Sequence, residues 1–154
     1  MDYQLRGKLA YVSAGAHGIG EAIADLLTQE GAEVIVADAD ADVLRQKAGK
    51  WRGTAAADLA TAAGVDSATG YVLQQFGRAP DILINNLGVG NSTPFEETSD
   101  ESWAQSFQVN LMGTVRTCRA LVPKMAARGG GAVVNTGSDL AKQPEPVFME
   151  YGSC

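Results

Sequence analysis

The first residues that could do chemistry lie near the N-terminus. The stretch Ser13-Ala14-Gly15-Ala16-His17-Gly18-Ile19-Gly20 follows a short apolar run and precedes a segment of helical periodicity. A glycine-rich turn of this kind lets a phosphate reach the backbone without meeting a side chain. The helix that follows offers free N–H groups and the positive end of its dipole to an anion. The spacing differs from the common GxGxxG pattern, and no Lys-Ser or Lys-Thr follows the last glycine, which excludes a P-loop. Taken alone, the loop also fits a tight strand-to-helix connection.

Asp38 adds to it. It stands 18 residues after Gly20, at the end of the second apolar run "EVIVADAD". In a doubly wound nucleotide site an acid near this position accepts from the ribose hydroxyls and repels a 2′-phosphate. Ala39 follows it and brings no positive charge, so NAD is expected over NADP. Asp40 and Asp42 are close by, and a solvated acidic loop is the plainer alternative. One histidine and no CxxC leave no metal site to expect.

The elements that must position these residues alternate along the chain. Strands are expected in "KLAYVSAG", "EVIVADAD", "GTAAAD", "PDILINNLG" and "GAVVNTGS". The first helix carries apolar residues at Ile19, Ala22, Ile23, Leu26 and Leu27, with Gly31 at its C-terminal cap. Weaker helices are expected over 41–51 and 60–77. A long one follows a capping box formed by Thr98 and Glu101. Its apolar face runs Trp103, Phe107, Leu111 and Val115, and Pro123 marks its last turns. Five strands alternating with helices predict an α/β fold, a doubly wound parallel sheet of Rossmann type, with residues 1–154 as a single dinucleotide-binding domain.

Several segments, in this order, resemble the short-chain dehydrogenase/reductase family. Its Thr-Gly-x-x-x-Gly-x-Gly pattern is similar to Ser13–Gly20, with Gly18, Ile19 and Gly20 matching at the end and Ala14 standing where the first glycine is expected. Asp58-Leu59 resembles the family's pair at the adenine ring. Asn85-Asn86-Leu87-Gly88 resembles its Asn-Asn-Ala-Gly segment, with Leu87 in place of alanine. Asn110 resembles its helical active-site asparagine. Ser138 resembles the catalytic serine, and Tyr151, 13 residues later, the catalytic tyrosine.

The resemblance implies reversible hydride transfer between a secondary alcohol or ketone and a nicotinamide cofactor. Tyr151 would act as general acid/base, Ser138 would orient the substrate oxygen and Asn110 would hold a water in the proton path. The family's lysine, four residues after the tyrosine, would be residue 155. A free tyrosine, with a pKa of about 10, is about one part in a thousand ionised at pH 7. The 154-residue chain is therefore expected to be a fragment of a longer protein and a poor dehydrogenase alone, truncated after the fifth strand. A nucleotide-binding protein without catalysis is the alternative reading.

The bulk composition fits a cytoplasmic protein. The formal net charge of −6 gives no general attraction to nucleic acid or anionic membrane. No apolar run is long enough to span a bilayer. Cys118 and Cys154 are expected as free thiols in a reducing compartment. Small-molecule alcohols or ketones are the expected partners, together with further copies of the chain in a dimer or tetramer.

Overall fold

A computed structural model of the chain describes residues 3–154. The five expected strands form one parallel sheet. They are β1 (Leu9–Ser13), β2 (Glu33–Asp38), β3 (Gly53–Ala56), β4 (Ile82–Asn85) and β5 (Ala132–Asn135). Their order across the sheet is β3-β2-β1-β4-β5. The chain winds outward from β1 to β3, then returns to pair β4 on the other side of β1. This reversal opens a crevice at the C-terminal ends of β1 and β4, where such sheets bind ligands. The structure has the Rossmann-like α/β architecture expected from the alternation.

Strands β1, β2 and β4 are covered on both sides, which explains why they are apolar throughout, while β5, at the edge, is exposed along its length. On one face Leu9, Tyr11, Ile35 and Leu83 pack with Val65, Ala68 and Val72 of α3 (Ala62–Phe76) and Leu121 and Met125 of α5 (Gly113–Ala126). On the other, Ala10, Val12, Val34, Val36 and Ile84 pack with Ala24 of α1 (Gly18–Gln29) and Leu44 of α2 (Ala41–Gln46). Burying each larger aliphatic side chain is worth about 1.5–3 kcal/mol. Helix α2 is shorter than the expected 41–51. Gly49 turns the chain at φ +83°, and Trp51 is buried, its indole N–H donating to Asp25 Oδ1 at 3.0 Å.

Two helical faces differ from expectation. In α1 the buried residues are Gly20 and Ala24, with Ile23 and Leu27 beside them, while Ile19 and Leu26 are 67% and 58% exposed. In the long helix the stripe Trp103–Phe107–Leu111–Val115 is not the buried one. That stripe runs Ser106, Val109, Gly113, Thr117, Leu121 and Met125. The cause is the same in both. These helices lie close against their neighbours, and close approach selects small residues that a hydrophobicity pattern passes over. A Cβ on Gly113 would sit 2.7 Å from Leu87 Cδ2 and 3.0 Å from the Leu59 carbonyl oxygen. The buried Thr117 hydroxyl costs little because it donates to the Gly113 carbonyl at 2.9 Å. The cap also differs: Ser99, not Thr98, accepts from the Ser102 N–H, and Thr98 donates instead to the Pro94 carbonyl.

Tyr11 is fully buried in the middle of β1, and its hydroxyl has no hydrogen-bond partner among the described residues. Burial pushes its pKa far above the usual phenol value. An unpaired buried hydroxyl costs free energy that removing it restores. Tyr11→Phe is therefore expected to leave stability unchanged or raise it by about 1 kcal/mol, as read by urea denaturation; a loss larger than that would place a partner on the hydroxyl.

Candidate active site

The glycine loop is held from three sides. Ser13, at the end of β1, accepts through Oγ from the N–H groups of Asn86 (2.9 Å) and Leu87 (3.2 Å), which ties β1 to the end of β4. Asn86 returns a bond from its amide to the Ala14 carbonyl at 3.2 Å. Asp38 accepts from the Ala16 N–H through one carboxylate oxygen and from the Asp40 N–H through the other, both at 3.0 Å. Lys47 donates to the Ala16 carbonyl at 2.6 Å.

The loop's composition follows from this packing. A Cβ on Gly20 would lie 2.1 Å from the Ala14 carbonyl oxygen, so only glycine lets α1 start here. Gly15 is closed in by Val36 and Val12, with the nearest methyl 2.8 Å from where a Cβ would stand. Ala14, where the family pattern has glycine, takes φ +49°, in the left-handed region that disfavours an L side chain. Glycine is thus absent where the backbone asks for it and present next door, where space does.

At the other end of the crevice the long helix changes pitch. Between α4 (Asp100–Ser106) and α5 lies a π-helical turn, Phe107–Met112, that carries Asn110. Such wide turns inside α-helices commonly mark functional sites. The Asn110 side chain pins the loop after β4. Its Oδ1 accepts from the Val89 N–H at 2.7 Å, and its amide donates to the Val89 carbonyl and to Ser106 Oγ, each at 3.0 Å. Gly90, in the same loop, lies against the Tyr151 ring: a Cβ there would be 3.3 Å from Tyr151 Cγ.

Tyr151 is on the short helix α6 (Met149–Gly152), which rests on a turn just after β5. Gly152 fits because a Cβ would come within 3.0 Å of the Leu140 carbonyl oxygen. Ser138 caps that turn. Its Oγ accepts from the Leu140 N–H and donates to Asp139 Oδ1, both at 3.2 Å. Thr136 joins β5 to β4, its hydroxyl donating to Asn86 Oδ1 at 3.2 Å.

One cleft of about 750 Å³ runs from the glycine loop to Ser138 and Tyr151, within the range of small-molecule sites. Of the residues singled out in the sequence, Gly18, Ile19, Asp38, Gly88, Asn110, Ser138 and Tyr151 line it. Ser13, Gly20, Asp58, Leu59 and Asn85 do not. Ser13 and Gly20 shape the loop from behind. Asn85 is buried, its amide donating to Asn135 Oδ1 at 2.8 Å and to Cys118 Sγ at 3.2 Å. Leu59 belongs to the core, and exposed Asp58 accepts from the Ala60 N–H at 3.0 Å. Sequence reading missed Thr136, whose residue type and place at the end of a strand give no signal.

The cleft suits a dinucleotide. His17, the cap of α1, makes no side-chain cap bond, which leaves the first N–H groups of that helix for an external acceptor. Gly18, at φ +51°, has no atom within 4 Å of where a Cβ would stand, so its backbone is open to close approach. Among the described residues no cluster of three His, Cys, Asp or Glu side chains could hold a metal, and no helix is long and apolar enough to cross a membrane.

A family model described as short chain dehydrogenase matches residues 8–154. The chain belongs to this family. It is 40% identical over 146 residues to D-threitol dehydrogenase of Mycolicibacterium smegmatis, covering 91% of this chain and 56% of that one. L-sorbose reductase of Gluconobacter frateurii, solved with NADPH and L-sorbose, superposes with a TM-score of 0.94 at 36% identity, covering 99% of this chain and 60% of the other. The 3-ketoacyl-(acyl-carrier-protein) reductase of Brucella melitensis, solved with NADH, gives 0.89 at 30% identity, covering 97% and 64%. The chain thus spans less than two thirds of the length of these relatives. It is related to oxidoreductases that bind NADPH or NADH.

Two outcomes follow from the loop. Ala14→Gly should relieve the left-handed strain and, after the added chain entropy of glycine, raise stability by about 0.5–1 kcal/mol in thermal unfolding; a decrease would show that Ala14 is unstrained. Glu21, on the first turn of α1, pairs with Lys47 and Lys50 at 2.7 Å each, which lowers its carboxyl pKa from 4.5 to about 2. A depressed folded pKa means the pairs contribute fully above pH 4.5 and are lost as pH falls through about 2. Carboxyl chemical shifts followed from pH 6 downward should place the Glu21 midpoint well below those of the unpaired glutamates.

Proposed function

We propose that this chain is the nucleotide-binding and catalytic part of an NAD(H)-dependent oxidoreductase that interconverts a small secondary alcohol and its ketone. The observation that carries the reading is the single cleft that runs from the open N-terminus of α1 to Ser138 and Tyr151. The relationship to enzymes named for a sugar alcohol and a ketose agrees with it.

In this reading Gly18, Ile19 and the free N–H groups of α1 hold the pyrophosphate, and Asp38 faces the adenosine ribose. Asp38 already accepts two backbone bonds, but each carboxylate oxygen retains a lone pair for a ribose hydroxyl. Its charge opposes a 2′-phosphate, and the cleft wall contains no Lys or Arg to welcome one. A bound nicotinamide dinucleotide supplies the hydride acceptor or donor. During oxidation the Tyr151 phenolate receives the hydroxyl proton as the carbonyl forms, and during reduction the neutral phenol returns that proton. Ser138 hydrogen-bonds the reacting oxygen and fixes its orientation. Asn110 holds the Val89 backbone, and through it Gly90, against the tyrosine ring.

A protein of the relatives' full length that carries this chain is expected to reduce NAD with small secondary alcohols, followed by absorbance of the reduced cofactor, whereas residues 1–154 alone should do so poorly. Tyr151→Phe should lower kcat by about 10²–10⁴-fold while NAD still binds. Asp38→Ser should narrow the preference for NAD over NADP by about tenfold or more, the loss of one or two bonds to a charged acceptor. NAD binding without turnover of any alcohol would support the binding-only alternative, and a wild-type preference for NADP would overturn the assignment of Asp38.

A further inference from the structure

Asp139 follows Ser138 directly and lines the same cleft as Ser138 and Tyr151. Its Oδ1 accepts the Ser138 hydroxyl at 3.2 Å, while its Oδ2 has no hydrogen bond among the described residues. Ser138 in turn accepts from the Leu140 N–H at 3.2 Å, so its only proton is committed to Asp139. The turn that holds the pair, Asp139–Ala141, begins at Ser138 with extended backbone, and α6 rests on it through Gly152.

From this arrangement we infer that Asp139 selects substrates with a hydroxyl on the carbon next to the reacting carbinol, a vicinal diol or its α-hydroxy ketone. The inference rests on the hydride-transfer reading above. To orient a substrate oxygen, Ser138 must turn its proton away from Asp139. With a simple alcohol that exchange leaves Asp139 Oδ1, which is exposed, to water. A carboxylate accepts and never donates, so once substrate fills this part of the cleft a hydroxyl on the neighbouring carbon is the donor that can take the bond over. The two oxygens of a vicinal diol in its gauche form stand about one hydrogen-bond length apart, as Ser138 Oγ and Asp139 Oδ1 do. One oxygen then meets Ser138 and Tyr151 while its neighbour donates to Asp139. The same carboxylate, in a cleft wall without Lys or Arg, disfavours a substrate with an anionic group at that position.

The test compares 2,3-butanediol with 2-butanol, with NAD, on a protein of the relatives' full length that carries this chain. Wild type should show the higher kcat/KM on the diol. In Asp139→Ala the ratio of diol to monoalcohol should fall by about ten- to a hundredfold, as for a lost bond to a charged acceptor. Asp139→Asn, whose amide oxygen still accepts, should recover part of that ratio. A crystal structure with the diol should place its second oxygen within hydrogen-bonding distance of Asp139. Equal rates on the two alcohols in wild type, or a ratio unchanged in Asp139→Ala, would overturn the inference and leave the oxidoreductase reading standing. Oxidation of neither alcohol by wild type, with other secondary alcohols also inert, would remove that reading and this inference with it.

Discussion

Gly20 has no side chain, and the geometry of the cleft depends on it. The first turn of α1 begins where the Ala14 carbonyl oxygen and the Asn86 amide would stand 2.1 and 2.7 Å from a Cβ. Because nothing fills that space, the helix can start directly against the ends of β1 and β4. Its first residues, Gly18 and Ile19, then line the crevice that the strand order opens. Ser13, Asn86 and Asp38 hold the loop in that position with hydrogen bonds to backbone groups from different strands. Backbone donors that would otherwise be buried unpaired are thereby satisfied, a condition for placing an irregular loop in a protein interior.

The far end of the cleft is built on the same economy of side chains. Gly90 and Gly152 make room for the Tyr151 ring and for the turn beneath it, while Asn110 ties the loop after β4 to the π-helical turn. Three side-chain bonds from one asparagine, about 1 kcal/mol each, replace a regular element between the two parts of the site. Rigid support of this kind keeps reacting groups in register, since small misplacements cost large factors in rate.

Charge is distributed unevenly around these parts. Lys47 and Lys50 gather Glu21 and Asp25 at the outer side of α1, and His17 meets Asp40 at 3.1 Å. Exposed pairs of this kind contribute little to stability. They do leave Asp38 and Asp139 as the carboxylates of a cleft wall that contains no Lys or Arg. In the proposed reading, selectivity at both ends of the cleft rests on which partners can donate a hydrogen bond to a carboxylate.

The sequence by itself determined the alternation of five strands and their helices, and the glycine loop with Asp38 after it. It also determined the order of Asn110, Ser138 and Tyr151 that marks the family. Periodicity and motif spacing report those things because they are local or ordinal. Tertiary structure decided which helical faces are buried, since close packing chose Gly20, Ala24, Gly113 and Thr117 over the larger Ile19, Leu26 and Phe107. It also decided that Ala14 bears the left-handed turn, that Leu59 serves the core, and that Asp139 holds the Ser138 proton. Each of these depends on atoms brought together across the sheet or on the exact rotation of a side chain. Contacts such as Ser13 with Asn86, 73 residues apart, leave no periodic trace in the chain that makes them.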